Sequence, residues 1–309
     1  MILLLTVTLP VFLVLGFGYL ASWRGWINEA AIDGLMKFSQ GFAIPCLLFL
    51  AIARLDLAQE FNLALLGSFY AGAITGFFAG LFGARLLFGR SWEDAVAIGF
   101  VGLFSNSLLL GLPITERAYG AEALQANFAI IALHSPVCYA IGITAMELAR
   151  ASGGSLLELP GKVLKSMGRN ALILGIGLGA LVNLSGMPMP GVLVEALELM
   201  ARAALPAALF GLGGILHRYR PEGDMRVILY IVAVSLVLHP AVVWGLGTLF
   251  DLKVPAFRSA IITAAMAPGV NAYLFASIYG RAKRVAASAV LIGTAASVVT
   301  ATVWLALLP

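Results

Sequence analysis

Ser105-Asn-Ser-Leu-Leu-Leu-Gly-Leu-Pro113 lies inside a run of roughly twenty apolar residues, about the length needed to cross a bilayer. An asparagine, a glycine and a proline at the centre of such a run work against a continuous helix. Proline removes a backbone donor and frees a carbonyl, and glycine widens the permitted backbone angles. In hydrocarbon, backbone groups released in this way are tolerated only where protein or a wetted cavity meets them. The stretch therefore predicts a helix that unwinds at mid-membrane because it lines a site.

The rest of the chain has the composition that such a helix requires. Of 309 residues, 61% are hydrophobic and 11% charged, and the mean hydropathy of +1.00 is far outside the range of soluble domains. Apolar stretches long enough to span recur at 3–22, 30–52, 61–88, 93–119, 122–147, 169–185, 190–216, 225–250, 256–280 and 283–308. The expected fold is an all-α polytopic membrane protein with ten transmembrane helices. No basic residue precedes the first apolar run and no small-residue cleavage site follows it, so the first span is expected to be kept. Cys46 and Cys138 both fall inside spans, where a thiol packs as a small apolar side chain.

A net charge of +4 raises the question of a nucleic-acid partner, but the basic residues are scattered and follow topology instead. Loops after odd-numbered spans hold thirteen of the nineteen, among them Arg85, Arg150, Arg218 and Arg281. Loops after even-numbered spans hold only Arg54, Arg117, Lys253 and Arg258, and Lys37 and Arg202 are read as lying near helix ends. The excess of positive charge then puts the 149–168 loop in the cytoplasm and both termini outside.

The two halves carry the same small patterns in the same order. Leu15-Gly-Phe-Gly18 recurs as Leu174-Gly-Ile-Gly177, Pro45-Cys-Leu-Leu-Phe49 as Pro206-Ala-Ala-Leu-Phe210, and Tyr119-Gly120 as Tyr279-Gly280, all at an offset near 160. The common offset carries the weight, since each match alone uses abundant residues. It divides the chain into a first five-helix repeat (1–148), a linker (149–168) and a second repeat (169–309). Five is odd, so the second repeat enters the membrane in the opposite sense. Inverted repeats with broken helices in matching places mark a transporter site. The partner of the opening stretch is Ala267-Pro-Gly-Val-Asn-Ala-Tyr-Leu-Phe275 in span 9. Broken helices 4 and 9 would present half-helix N-termini and two uncharged amides, Asn106 and Asn271, to an anionic ligand.

With those residues in view, the chain resembles the auxin efflux carrier family, through Asn106, Gly111 and Pro113 in span 4 and Pro268, Asn271 and Tyr279-Gly280 in span 9. The resemblance covers nearly the whole chain. It implies the ten-helix fold shared with bile acid sodium symporters, in which the broken helices 4 and 9 cross at the substrate site, with spans 1, 2, 6 and 7 as scaffold and spans 3–5 and 8–10 as a moving transport domain. It also implies homodimerisation through the scaffold, a place in a plasma membrane, in bacteria the inner one, and an elevator-type mechanism. The candidate substrate residues are Ser105, Asn106, Ser107, Gly111, Pro113, Pro268, Gly269, Asn271 and Ala272. A small organic anion, a carboxylate of auxin-like or dicarboxylate type, is the expected substrate.

The titratable residues separate the function classes. His134 and His239 fall near the middles of spans 5 and 8, where an ionisable group is a candidate for proton coupling, and each is also open to the plainer reading of a neutral ring satisfied by a proline-freed carbonyl. Glu116, just after the break, is a further candidate. All fifteen acidic residues are read as lying at or near helix ends, which argues against a cationic substrate. An enzyme would need paired catalytic groups or a histidine-rich metal cluster, and three histidines do not supply one. No metal, cofactor or nucleic-acid partner is expected, and the coupling ion, proton or sodium, stays open. A sodium-coupled anion symporter of the bile acid type is the alternative within the transporter class.

Overall fold

The computed structural model describes residues 2–150, 161 and 170–309, and their secondary structure is helical with one isolated β-bridge. Most of the 149–168 linker therefore lies outside the described residues. Twelve helices of eight residues or more follow in order: α1 Ile2–Trp23, α2 Glu29–Ala53, α3 Leu63–Leu86, α4 Trp92–Leu103, α5 Leu112–Tyr119, α6 Gln125–Arg150, α7 Ala171–Ser185, α8 Gly191–Arg218, α9 Met225–Leu249, α10 Val254–Ala264, α11 Val270–Tyr279 and α12 Lys283–Leu307. Among the described residues seven of them, α1, α2, α3, α6, α8, α9 and α12, are long and apolar enough to cross a membrane, and α7, α10 and α11 are shorter and apolar. The chain is a polytopic membrane protein.

Local sequence sets where these helices begin and widen. Asn28, Asn62, Ser91 and Asn170 each accept a backbone N–H from the first turn they precede, at 2.7–3.2 Å. Three helices contain a five-residue π-turn: Ser39–Ala43, Ser107–Gly111 and Val234–Leu238. Each stops one residue before an X-Pro pair, Ile44-Pro45, Leu112-Pro113 and His239-Pro240, and in each the residue before proline donates its N–H five residues back. Proline offers no N–H and its ring crowds the carbonyl four residues behind. A widened turn steps past that carbonyl while keeping the preceding amide bonded.

The chain forms two compact units. One comprises Met1–Thr8, Asn62–Val163 and Tyr219–Pro309; the other comprises Leu9–Phe61 and Leu164–Arg218. In the first, α3 and α4 touch backbone to backbone through Gly76 and Gly80 on one side and Gly99 and Gly102 on the other. A Cβ on Gly76 would come 2.5 Å from the Gly102 carbonyl oxygen, and one on Gly102 would come 2.6 Å from that of Gly76. Such spacing of small residues is how membrane helices gain van der Waals contact where lipid offers no hydrophobic drive. The second unit uses the same device, with Gly175 and Gly179 of α7 each placing a would-be Cβ 2.6 Å from the Pro45 and Phe49 carbonyls. The Asn183 amide closes that packing by donating to the carbonyls of Ile52, Ala53 and Leu55 at the end of α2.

Charge placement differs from the sequence expectation in this second unit. Glu198 and Arg202 lie well inside the 28-residue α8, and Lys37 lies inside α2. At about 1.5 Å per residue, α8 is about 42 Å long and exceeds a hydrocarbon core of about 30 Å by about 12 Å, so roughly its first eight residues can remain near the interface. There Glu198 pairs with Arg54 at 2.8 Å, both partly exposed.

Candidate functional site

The break in span 4 is made by its Ser-Asn-Ser residues. α4 ends at Leu103, Phe104 and Asn106 leave helical geometry at ψ 88 and 57°, and the π-turn then restarts the helix at Ser107. Asn106 caps that restart, its Oδ1 accepting from the Leu109 N–H at 3.3 Å. Short polar side chains that bond nearby backbone compete with the helix, and here they win. Gly111 and Pro113, expected to cause the break, lie beyond it. Their effect is the π-turn and the first turn of α5. In span 9 the expectation for Pro268 holds: α10 ends at Ala264, Pro268 and Gly269 follow, and α11 starts at Val270.

α4 and α10, of 12 and 11 residues, are about 17 Å long, half a hydrocarbon core. The two breaks pair with each other. Ser105 and Pro268 form an antiparallel bridge in which the Asn106 N–H donates to the Ala267 carbonyl at 2.7 Å and the Gly269 N–H to the Phe104 carbonyl at 2.8 Å. Ser105 and Pro268 occupy the position whose own amides face away from the partner strand, so the N–H that proline lacks is not missed. Gly293 of α12 gives this bridge room, since a Cβ there would lie 2.8 Å from Pro268 Cδ.

The bridge leaves the Ser105 carbonyl turned outward, and His134 meets it, its Nε2 donating at 3.1 Å. The ring is therefore in its Nε2–H form. Its carbonyl comes from the break in span 4 rather than from the nearby Pro136. His134→Leu is expected to leave this buried carbonyl only the longer bond from the Ser107 hydroxyl at 3.3 Å and cost about 0.5–1.5 kcal/mol, whereas His134→Gln, which can still donate, should cost less. Thermal melts of the purified variants check the order. His239 is fully buried against Gly72 and makes no hydrogen bond of normal geometry. Both histidine rings touch Phe69, with centroids 5.6 and 5.3 Å away, which the sequence did not foretell.

The amides are the chemical surface of the crossing. Asn106 is 6% exposed, its Oδ1 is committed to the cap, and its Nδ2 has no hydrogen-bond partner. Asn271, in the first turn of α11, has its Oδ1 held by the Tyr139 hydroxyl at 3.3 Å. Both carbonyl ends are thus occupied, which leaves the NH2 ends as donors. Around them are the first-turn amides of the restarting helices, which have no i−4 carbonyl to bond. Ser105 and Ser107 bond each other at 2.9 Å. Ala272 and Gly269 are buried, and a Cβ on Gly269 would lie 3.6 Å from Asn106 Cα. Tyr139 and Phe104 are the residues that sequence reasoning missed. Phe104 lies 4.6 Å from the His134 ring and 5.9 Å from Tyr139, centroid to centroid. A tyrosine hydroxyl in mid-span, which must find a partner, was the available signal. Glu116 is not brought to the crossing: it is exposed on α5, ten residues and about 15 Å of helix beyond Asn106. Among the described residues there is no group of three or more His, Cys, Asp or Glu that could hold a metal.

A family model described as "Membrane transport protein" matches residues 3–305. The chain belongs to that family. It is 26% identical over 306 residues to a Rhizobium meliloti protein named "Putative malonate transporter", covering 95% of this chain and 92% of the relative. It is 23% identical over 301 residues to the uncharacterized transporter YfdV of Escherichia coli, covering 96% and 95%. Auxin efflux carrier component 8 of Arabidopsis thaliana is 23% identical, with 93% and 92% covered. The chain is a multi-pass membrane transporter and not an enzyme.

Proposed function

We propose that this transporter is a secondary carrier of a small carboxylate, bound where the breaks of spans 4 and 9 cross. The observation that carries the reading is the pair of oriented amides: Asn106 and Asn271 have their oxygens occupied and their donors available, in a setting without a buried acid. Donors beside half-helix N-termini bind a carboxylate without the cost of desolvating a buried cation. The name of the Rhizobium relative supports a short dicarboxylate such as malonate as the first compound to try.

Ten spans in two inverted repeats are the architecture of this reading, with the pairs α4/α5 and α10/α11 each counted as one broken span. Spans 1, 2, 6 and 7 would be the scaffold, and spans 3–5 and 8–10 the moving part of an elevator. The division into two compact units supports most of this assignment, because the unit boundaries near residues 61, 164 and 218 fall between these groups, while the boundary after Thr8 cuts span 1. Homodimerisation through the scaffold belongs to the same proposal. Proton coupling through His134 or His239 predicts that Gln at the responsible position flattens the pH dependence of transport between about pH 5 and 8. Unchanged profiles in both single variants would leave these histidines a packing role.

Uptake by proteoliposomes of labelled malonate, a monocarboxylate and malonamide tests the substrate class. Carboxylates should be taken up and the uncharged diamide refused; indifference to charge would overturn the reading. Orientation is tested separately. With both termini outside, reporter fusions after residues 153 and 309 should give opposite signals, and matching signals would remove the odd number of spans between them.

A further inference from the structure

We propose that Asn127, Thr115 and Thr263 form a second site, one that binds a monovalent cation of the size of sodium and holds the half-helices on either side of the crossing in register. The three side chains come from α6, α5 and α10 and are all fully buried. Asn127 Nδ2 donates to Thr263 Oγ1 at 2.8 Å and to Thr115 Oγ1 at 3.3 Å. Thr263 passes its own proton to the Ser259 carbonyl at 2.6 Å. The amide's donors are therefore spent. Its Oδ1, equally buried, has no hydrogen-bond partner.

An acceptor with no donor, deep in an apolar helix bundle, calls for a positive ligand or a donor of comparable strength. The surroundings favour the cation. Thr263 is the next-to-last residue of α10, and the last-turn carbonyls of a helix lack intrahelical partners and carry the negative end of its dipole. Each threonine hydroxyl oxygen keeps a lone pair after accepting from Asn127. The oxygen set is thus one amide and two hydroxyls beside the C-terminal end of a half-helix. It contains no carboxylate, so it suits a single charge; a divalent ion takes hard, charged oxygen ligands. Half-helix C-terminal ends and unwound carbonyls are also where transporters hold coupling ions.

The position gives such an ion a purpose. Thr115 lies on the helix that restarts after the span 4 break, and Thr263 on the helix that stops before the span 9 break. Gly111 sits between this cluster and the crossing, since a Cβ there would lie 3.8 Å from Thr263 Cα and 3.9 Å from the Asn106 carbonyl oxygen. A cation bound by α5, α6 and α10 together would fix the two half-helices that present the amides. The site stands on its own geometry and does not depend on the identity of the transported anion.

Purified protein melted in roughly 150 mM NaCl against choline chloride, with no organic anion present, tests it. Sodium should raise the Tm by about 3–8 °C and do so saturably. Asn127→Leu and Thr263→Val should abolish the sodium response. Asn127→Asp, which keeps the acceptor and adds a charge, should lower the apparent sodium Kd roughly threefold or more, and it guards against a leucine variant that fails to fold. Equal melts in sodium and choline for the wild type, or a sodium response that survives Thr263→Val and is unaltered in Asn127→Asp, would overturn the proposal. Because no carboxylate enters this measurement, its failure would leave the anion reading standing, and failed malonate uptake with an intact sodium response would do the reverse.

Discussion

Asn106→Ala and Asn271→Ala are each expected to weaken carboxylate binding by about 1–3 kcal/mol, the usual worth of a hydrogen bond to a charged group, which is roughly a 5- to 150-fold rise in Kd. The two positions should differ in their side effects. Asn106 also caps the Leu109 N–H, so alanine there should cost a further 0.5–2 kcal/mol or so of stability. Asn271 caps nothing, and its alanine variant should melt near the wild type once the lost Tyr139 bond is allowed for. Aspartate separates the roles. At 106 it retains an acceptor for the cap while replacing the free NH2 with negative charge, so the fold should hold and carboxylate binding should fall below the alanine level. Titration calorimetry on monodisperse variants is the measurement. Wild-type affinity in both alanine variants, or tighter binding in the aspartates, would move the site elsewhere or make the substrate a cation.

Gly76→Leu should prevent the first compact unit from assembling. The α3–α4 contact leaves no space for a Cβ, because the atom 2.5 Å away is the Gly102 carbonyl oxygen, part of a backbone that cannot swing aside as a side chain would. Overpacking commonly costs 1–3 kcal/mol or so, and here whole helices must separate, so loss of the monodisperse species in detergent is the expected result. Gly67→Leu, on the same helix with nothing within 4 Å of its would-be Cβ, should behave as wild type. Equal tolerance at both positions would show that the helices slide apart at little cost.

Pairing at the crossing could not be read from sequence order. Matching breaks in spans 4 and 9 were legible because Gly111, Pro113 and Pro268 work against a continuous helix. That the two breaks would satisfy each other through an antiparallel bridge depends on segments about 160 residues apart meeting at one depth. Gly111 and Pro113 show how a local rule can be right in kind and misplaced in position. Proline perturbs the turn behind it, and in this chain the helix absorbs the perturbation as a widened turn while the true interruption falls at the polar residues upstream. His134 was visible as a mid-span ionisable group. Its bond to the Ser105 carbonyl was not, since that carbonyl is turned outward only once the bridge has formed.

Composition and periodicity by themselves determined that this chain is helical, membrane-embedded and built around two broken spans, because hydrocarbon leaves a backbone few ways to satisfy its own hydrogen bonds. They also singled out Asn106 and Asn271, the uncharged amides beside those breaks. Only the tertiary structure decided which ends of those amides stay available. Tyr139 from α6 and the Leu109 N–H take the two oxygens, and a hydrogen bond made by one end of an amide dictates what the other end can offer. The Asn127 cluster was likewise a tertiary result. Its three members are unremarked polar residues in three separate helices until packing brings them together and leaves one oxygen without a donor.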